Sequence, residues 1–198
     1  MRRFFPLLLL LFFISPAVLI AQEGDFPEYD WSDFYVSPYA RGDRTLHVSM
    51  GLLMPTFVLG IEGNSHGISI GGTGTLSFNY FLGPNLFVGG EVSGSFAATR
   101  GSNMLYLIPM GGRVGYQFLI NRFEFPFSLM LGLAPQSYLE KDYFGPVLKP
   151  GVAAYWRFNP DWSFGANAYW WMIPQWPRNG NNTLGTFLEL SLSARYHF

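Results

Sequence analysis

The chain ends, over residues 184–198, in the stretch LGTFLELSLSARYHF. Apolar and polar residues alternate along it, and an alternation of period two is typical of a β-strand with one apolar and one polar face. The stretch therefore predicts a strand that separates an apolar environment from a polar one. Its apolar face carries Leu188, Leu190, Leu192, Tyr196 and Phe198, and its polar face carries Glu189, Ser191, Ser193, Arg195 and His197.

The same alternation occurs in seven earlier segments, at residues 46–52, 68–82, 86–96, 106–118, 123–133, 148–158 and 162–170. The composition agrees with strands and turns, because 19% of the residues are aromatic and the chain has 23 Gly and 14 Pro. Only 13% are charged, yet beyond the N-terminus no apolar run reaches the roughly 18 residues of a spanning helix. Since lipid admits only helices and closed barrels as spanning structures, the sequence predicts a barrel.

A regular spacing sets the number of strands. Pro84, Arg122, Pro160 and Phe198 follow one another at intervals of 38 residues, and the first three mark short turn sequences. Each interval is long enough for one hairpin, and a fourth interval counted back from Pro84 begins at Leu46. Four hairpins make eight strands, and an even number is the rule for bacterial barrels.

These observations predict an all-β fold, an eight-stranded antiparallel up-and-down transmembrane β-barrel over residues 45–198. The short turns lie at residues 83–85, 121–122 and 159–161 and are expected to face the periplasm. The longer connections, at residues 60–67, 100–103, 135–143 and 173–182, are expected to face outward. Aromatic residues on the apolar face concentrate beside the short turns and predict an interfacial girdle there.

The first 44 residues lie outside this pattern. Arg2 and Arg3 precede an apolar stretch that ends in the small residue Ala21, so residues 1–21 are expected to be a secretory signal peptide. Residues 22–44 contain six acidic and two basic residues among aromatic ones and are expected to form a periplasmic lead-in. An alternative is that this segment plugs the lumen or binds a partner.

Charged residues on the polar faces predict an ion-pair network inside the barrel. A hairpin centred on Ser102 places Glu91 opposite Arg113, and one centred between Glu140 and Lys141 places Glu124 opposite Arg157. Paired charges are tolerated in a narrow lumen where isolated ones are not. The expected lumen charge network comprises Glu91, Arg113, Glu124, Arg157, Lys149, Glu189 and Arg195.

The last strand carries a family resemblance. Leu190, Leu192, Tyr196 and the terminal Phe198 match the C-terminal strand of bacterial outer-membrane proteins. With eight strands, the chain resembles the small-barrel class that includes OmpA, OmpX and OmpW, over its barrel domain only. The resemblance implies a bacterial outer-membrane location, export by the signal peptide, contact with outer-membrane lipid, and recognition by periplasmic chaperones and the outer-membrane assembly machinery.

We expect a structural or surface-interaction role with a side-chain-filled lumen, because eight strands enclose little more than side chains. An alternative is an OmpW-like narrow channel for small hydrophobic solutes, which four apolar residues on lumen-facing positions favour: Leu53, Leu105, Leu107 and Phe187.

A less favoured alternative is a lipid A-modifying enzyme. His47 and Ser49 share a face, where His197 could join them, as a base and a nucleophile would. We nevertheless expect no catalytic, cofactor-binding or metal-binding residues, because the three His residues are scattered along the chain. A net charge of −1 also offers no basic surface to nucleic acid.

Overall fold

The structure is a computed structural model that describes residues 39–59, 69–99, 103–138, 141–175 and 183–198. The expected signal peptide, residues 22–38 of the expected lead-in and the whole predicted connection at residues 60–67 lie outside the described residues, as do residues 100–102, 139–140 and 176–182 of the other three predicted long connections. The described part of the chain is almost entirely β-strand.

Nine strand segments follow one another along the chain. Two of them, β4 and β5, are separated only at Ile108 and Pro109, and both pair with the same two neighbours. They form one strand of the barrel wall, so the wall has eight strands. The segments are β1 (Arg44–Leu59), β2 (Gly71–Phe81), β3 (Leu86–Thr99), β4 (Asn103–Leu107), β5 (Met110–Ile120), β6 (Phe123–Tyr138), β7 (Lys141–Arg157), β8 (Trp162–Gln175) and β9 (Thr183–His197).

The sheet closes on itself. Sequential strands pair antiparallel, and the first strand pairs with the last from Thr45↔His197 to Leu59↔Leu184. Closure leaves no free sheet edge, which is the condition for a β-structure in lipid. The predicted eight-stranded antiparallel up-and-down barrel is confirmed, and its first strand begins one residue earlier than expected.

The three predicted short turns are present. Asn121 adopts a left-handed φ of 54° between β5 and β6, a conformation that Asn tolerates better than most residues. The side-chain oxygen of Asn159 accepts hydrogen bonds from the backbone N–H groups of Asp161 and Trp162, at 3.0 and 2.7 Å. These turns share one end of the barrel, called the turn end below, and the opposite end is the loop end.

The prediction of a connection over residues 135–143 is wrong for most of its length. The β6–β7 ladder continues to Tyr138↔Lys141, so strand replaces the expected loop. β8 likewise extends to Gln175, two residues beyond the start of the loop expected at residue 173. Proline suggested a loop here, but the carbonyl of Pro135 still accepts the backbone N–H of Ile108 at 3.0 Å.

The two faces of the wall separate as the alternation predicts. Apolar side chains such as Met50 and Leu192, which are 74% and 73% exposed, cover the exterior. At the turn end the exterior rings of neighbouring strands contact one another, with centroids 5.0 Å apart for Trp162 and Tyr196 and 5.6 Å apart for Trp156 and Phe158. This is the predicted aromatic girdle, and a closed barrel with such an exterior fits a bilayer.

Among the described residues, no helix is long and apolar enough to cross a membrane.

Candidate functional site: the barrel lumen

A cluster of four charged side chains lies near the middle of the lumen and is called the central charge cluster. Lys149 Nζ lies 2.7 Å from Glu91 Oε1 and 2.9 Å from Glu189 Oε2. Arg113 Nη1 lies 3.1 Å from the other oxygen of Glu91. Two carboxylates and two cations balance each other, and all four side chains are buried. Such close pairing is what allows charges to be buried in a narrow space.

Two rings and one serine hydroxyl complete the surroundings of Lys149. Its ammonium lies 4.6 Å from the Tyr169 ring centroid and 4.7 Å from that of Trp171, within the range of cation–π attraction. It also donates to Ser93 at 3.1 Å, and the Trp171 indole N–H donates to Glu189 at 2.8 Å. The cluster is therefore held by several directed contacts besides its ion pairs.

Glu124, Arg157 and Arg195 form the turn-end charge cluster. Arg195 Nη1 lies 2.9 Å from Glu124 Oε2, whereas Arg157 Nη1 lies 3.6 Å from Glu124 Oε1. Arg195 also donates to Gln117 at 2.9 Å and lies 3.8 Å from the Tyr155 ring centroid. One carboxylate thus serves two guanidinium groups, and a ring and an amide stabilise the excess positive charge.

Tyr39 covers the turn-end charge cluster from the turn end. Its hydroxyl donates to Glu124 at 2.8 Å and lies 3.2 Å from His197 Nδ1. Its ring stacks on Phe81 with centroids 4.1 Å apart, and Arg157 lies 5.0 Å from the ring centroid. Burial, and then the charge of Glu124, raise the pKa of this hydroxyl. A depression of about 230 Å³ beside it has Tyr39, Arg157 and His197 among its lining residues.

The loop-end part of the lumen is apolar. Leu53 and Trp171 are 0% exposed there, and Ile173 is 1% exposed. The four lumen-facing apolar residues predicted from the sequence are all buried in this group. The loop-end apolar cluster comprises Leu53, Leu105, Leu107, Met130, Ala134, Val147, Tyr169, Trp171, Ile173 and Phe187.

Inward rings lie over glycines of neighbouring strands. Gly151 is directly opposite Tyr169, and Gly165 is opposite Tyr155. A Cβ added to either glycine would contact the facing ring. The glycines therefore make room for large lumen side chains, which fill the space between the two charge clusters.

All seven residues of the predicted charge network take part in ion pairs, but the registers predicted for two of these pairs are wrong by two residues. Glu91 faces Gly111 rather than Arg113, so the β3–β5 hairpin is centred on Gly101 rather than Ser102. Glu124 likewise faces Tyr155 rather than Arg157. Long side chains reach diagonally across adjacent strands, which is why both pairs still form.

The lumen residues proposed for catalysis do not assemble as a base and a nucleophile. His47 Nδ1 lies 3.0 Å from the hydroxyl of Ser77, not that of Ser49. His197 Nε2 instead contacts Ser163 at 2.8 Å. In the described ranges, no three His, Cys, Asp or Glu side chains are grouped as a metal site would require.

Sequence reasoning missed the aromatic and amide partners of the charges, namely Tyr39, Tyr155, Tyr169, Trp171 and Gln117. Four of these occupy lumen-facing positions of their strands, so the parity of each strand could have revealed them. Tyr39 precedes β1 and belongs to the lead-in, for which plugging the lumen was the alternative. No pattern in the sequence singled out its ring, which packs with Phe81 and Phe87.

The C-terminal strand has the predicted faces. Leu190, Leu192, Tyr196 and Phe198 all lie on the exterior. The ring of Phe198 lies 6.0 Å from Phe78 and 5.8 Å from Tyr196, within the girdle.

The chain has relatives among known proteins. A protein-family model matches residues 23–196. An uncharacterized protein of Treponema pallidum (strain Nichols) is 32% identical over 163 residues, which are 76% of this chain and 68% of that protein. The chain belongs to the same family.

Two solved structures share the fold. Neisserial surface protein A (NspA) aligns with a TM-score of 0.58 and 17% identity, over 79% of this chain and 97% of the NspA chain. The outer membrane protein OprG of Pseudomonas aeruginosa aligns with a TM-score of 0.56 and 11% identity, over 82% of this chain and 99% of the OprG chain. Together with the apolar exterior and its girdle, this fold makes the chain an integral β-barrel of the bacterial outer membrane.

Proposed function

We propose that this protein is a structural or surface-interaction barrel whose lumen is filled by side chains and does not conduct solutes along its axis. The observation that carries the proposal is that clusters of side chains follow one another along the lumen. The ring of Tyr39 occupies the turn end, the two charge clusters follow, and the loop-end apolar cluster occupies the other end. A polar solute would have to separate buried ion pairs and then cross a dry apolar layer.

Bilayer conductance tests this proposal. The full chain, folded into planar bilayers, should give no steady single-channel currents in KCl, because no aqueous path crosses the apolar layer. A water-filled barrel of the same membrane class serves as the positive control. Discrete, reproducible currents from the heat-modifiable folded form would overturn the proposal.

The alternative function, a narrow channel for small hydrophobic solutes, has one observation in its favour. The loop-end part of the lumen is lined by apolar rather than polar side chains, so an apolar solute would lose little on entering it. Uptake of a small apolar dye into vesicles separates the two functions. A rate above that of protein-free vesicles, sensitive to Leu107→Asp but not to Leu192→Asp, would favour the channel.

We also propose that the last strand directs assembly by the outer-membrane machinery and periplasmic chaperones. The outward Leu190, Leu192, Tyr196 and Phe198 support this, because their side chains are available to a partner before lipid covers them. Phe198→Ala should lower the fraction of chain that folds in cells while leaving folding into detergent micelles intact. Phe78→Ala, another girdle residue, is the matched control.

A further inference from the structure

The boundary between β7 and β8, called the β7–β8 seam below, is not hydrogen-bonded along its whole length. Within the described residues, the β7–β8 ladder ends towards the loop end at Leu148↔Met172. The flanking ladders continue past this level, the β6–β7 ladder to Tyr138↔Lys141 and the β8–β9 ladder to Gln175↔Thr183. The strands on both sides of this seam are therefore formed, but they are not paired with each other.

Prolines explain why the seam stays unpaired. The register that pairs Leu148 with Met172 places Pro146 opposite Pro174. The Phe158 N–H donates to the Trp162 carbonyl, so even-numbered residues of both strands direct their backbone groups across this seam. Proline has no N–H, and both hydrogen bonds of the Pro146–Pro174 rung are therefore impossible. The carbonyl of each proline therefore has no backbone N–H donor opposite it on the other strand.

The same rung is backed by the loop-end apolar cluster. Val147 and Ile173 are the inward neighbours of the two prolines, and they are 2% and 1% exposed. Both belong to the apolar cluster together with Trp171. The seam thus has apolar side chains on its lumen side and lipid-facing side chains on its outer side, among them Phe144, which is 62% exposed.

The depth of the rung identifies its surroundings. Pro146 lies 11 residues along β7 from Arg157, whose level is that of the turn-end girdle. At about 3.4 Å per residue and a tilt of roughly 45°, this corresponds to about 26 Å along the barrel axis. The apolar band of such barrels is about 25 Å tall, so the rung lies where acyl chains give way to headgroups.

We propose that the loop-end part of the β7–β8 seam, at Pro146, Leu148, Met172 and Pro174, is a binding site for a lipid of the outer leaflet. The lipid headgroup donates hydrogen bonds to the carbonyls of Pro146 and Pro174, which have no amide donors opposite them. Its acyl chain lies along the outer face of the seam, against the partly exposed Leu148 and Met172. The site faces the membrane from the outside of the wall and requires no passage along the lumen.

Photo-crosslinking in nanodiscs tests the site with the full folded chain. The probe is phosphatidylethanolamine that carries a diazirine in its acyl chain, and crosslinked peptides are mapped by mass spectrometry. Peptides containing Pro146 and Pro174 should be labelled. The double variant Pro146→Val with Pro174→Val supplies both missing donors and closes the rung, so labelling there should fall by about tenfold, as expected for loss of a site worth one to two hydrogen bonds.

Three controls make the result specific. Pro150→Val is the matched variant, because Pro150 also lies on the outer face of β7, but paired rungs flank it at Leu148 and Gly151, and seam labelling should not change. The peptide with the exposed Met50 reports bulk lipid and should be labelled equally in all variants. Only the heat-modifiable folded band of each variant is digested.

Two outcomes would overturn the proposal. Seam labelling in the double variant equal to that of the parent chain would show that the lipid contact does not depend on the unpaired rung. Phosphatidylcholine with the same diazirine chain has no headgroup N–H donor, and equal labelling by the two lipids would refute the headgroup contact. Neither result depends on whether the lumen conducts.

Discussion

Replacing Lys149 by Met should be among the most damaging single changes in the barrel. The side chain is 0% exposed, and its ammonium lies within 2.9 Å of both Glu91 and Glu189. After the change Glu91 keeps Arg113 at 3.1 Å, but Glu189 keeps only the neutral donors of Trp171 and Ser191. A buried carboxylate without a cation lowers the free energy of unfolding by about 3–5 kcal/mol.

A double-mutant cycle separates charge pairing from packing. Lys149→Met combined with Glu189→Gln removes the uncompensated charge and leaves the Glu91–Arg113 pair balanced. The double variant should therefore lose at least about 2 kcal/mol less than the sum of the two single variants, since contacting residues couple by up to about 3 kcal/mol. Urea unfolding from lipid vesicles, followed by tryptophan fluorescence and by heat-modifiable migration, measures these free energies.

An exposed cation provides the matched control. Arg41 lies in the turn before β1 and is exposed, so Arg41→Met should change the free energy of unfolding by no more than about 0.5 kcal/mol. Additivity of Lys149→Met and Glu189→Gln within about 0.5 kcal/mol would refute the reasoning, because it would mean that the two charges do not depend on each other.

Three further predictions use the same unfolding assay. Tyr39→Phe removes the hydroxyl contacts with Glu124 and His197 and should lower the free energy of unfolding by about 1–2 kcal/mol. An unchanged value would mean that the turn-end charge cluster does not need this hydroxyl. Burial raises the pKa of the Tyr39 hydroxyl. The stabilisation that this hydroxyl provides is therefore complete below a pH of about 10, the usual tyrosine pKa, and is lost as the pH rises further. The free energies of unfolding of the parent chain and of Tyr39→Phe should converge at high pH. Gly132→Ala should lower the free energy of unfolding by about 1–3 kcal/mol, since the added Cβ would meet the backbone of Met110 and Gly111. At Gly94 an added Cβ meets nothing within 4 Å, so Gly94→Ala should be neutral or slightly stabilising. Equal effects of the two changes would contradict the packing seen at these positions.

The strand number, the turn positions and the two faces of the wall could be predicted because they depend on local sequence. Alternation records which face of each strand meets lipid, because a slip of one residue would expose polar side chains to hydrocarbon. It is interrupted where the β1–β9 register shifts between Pro55 and Val58, and the consecutive residues Thr186 and Phe187 are both buried there. The 38-residue spacing records the hairpins in the same way. The loop over residues 135–143 was mispredicted because proline at a strand position resembles proline in a loop until its neighbours are known.

By itself, the sequence determined that lipid-facing and lumen-facing residues alternate along eight strands, and which charged residues share the lumen. Only the tertiary structure decided which charges meet, since Lys149 reaches Glu91 on β3 and Glu189 on β9, strands that are far apart in the chain. It also decided that Tyr39 covers the turn end and that Pro146 faces Pro174 across an unpaired rung. The physical reason is that periodicity is fixed one strand at a time, whereas register and contacts across the lumen exist only when the sheet closes.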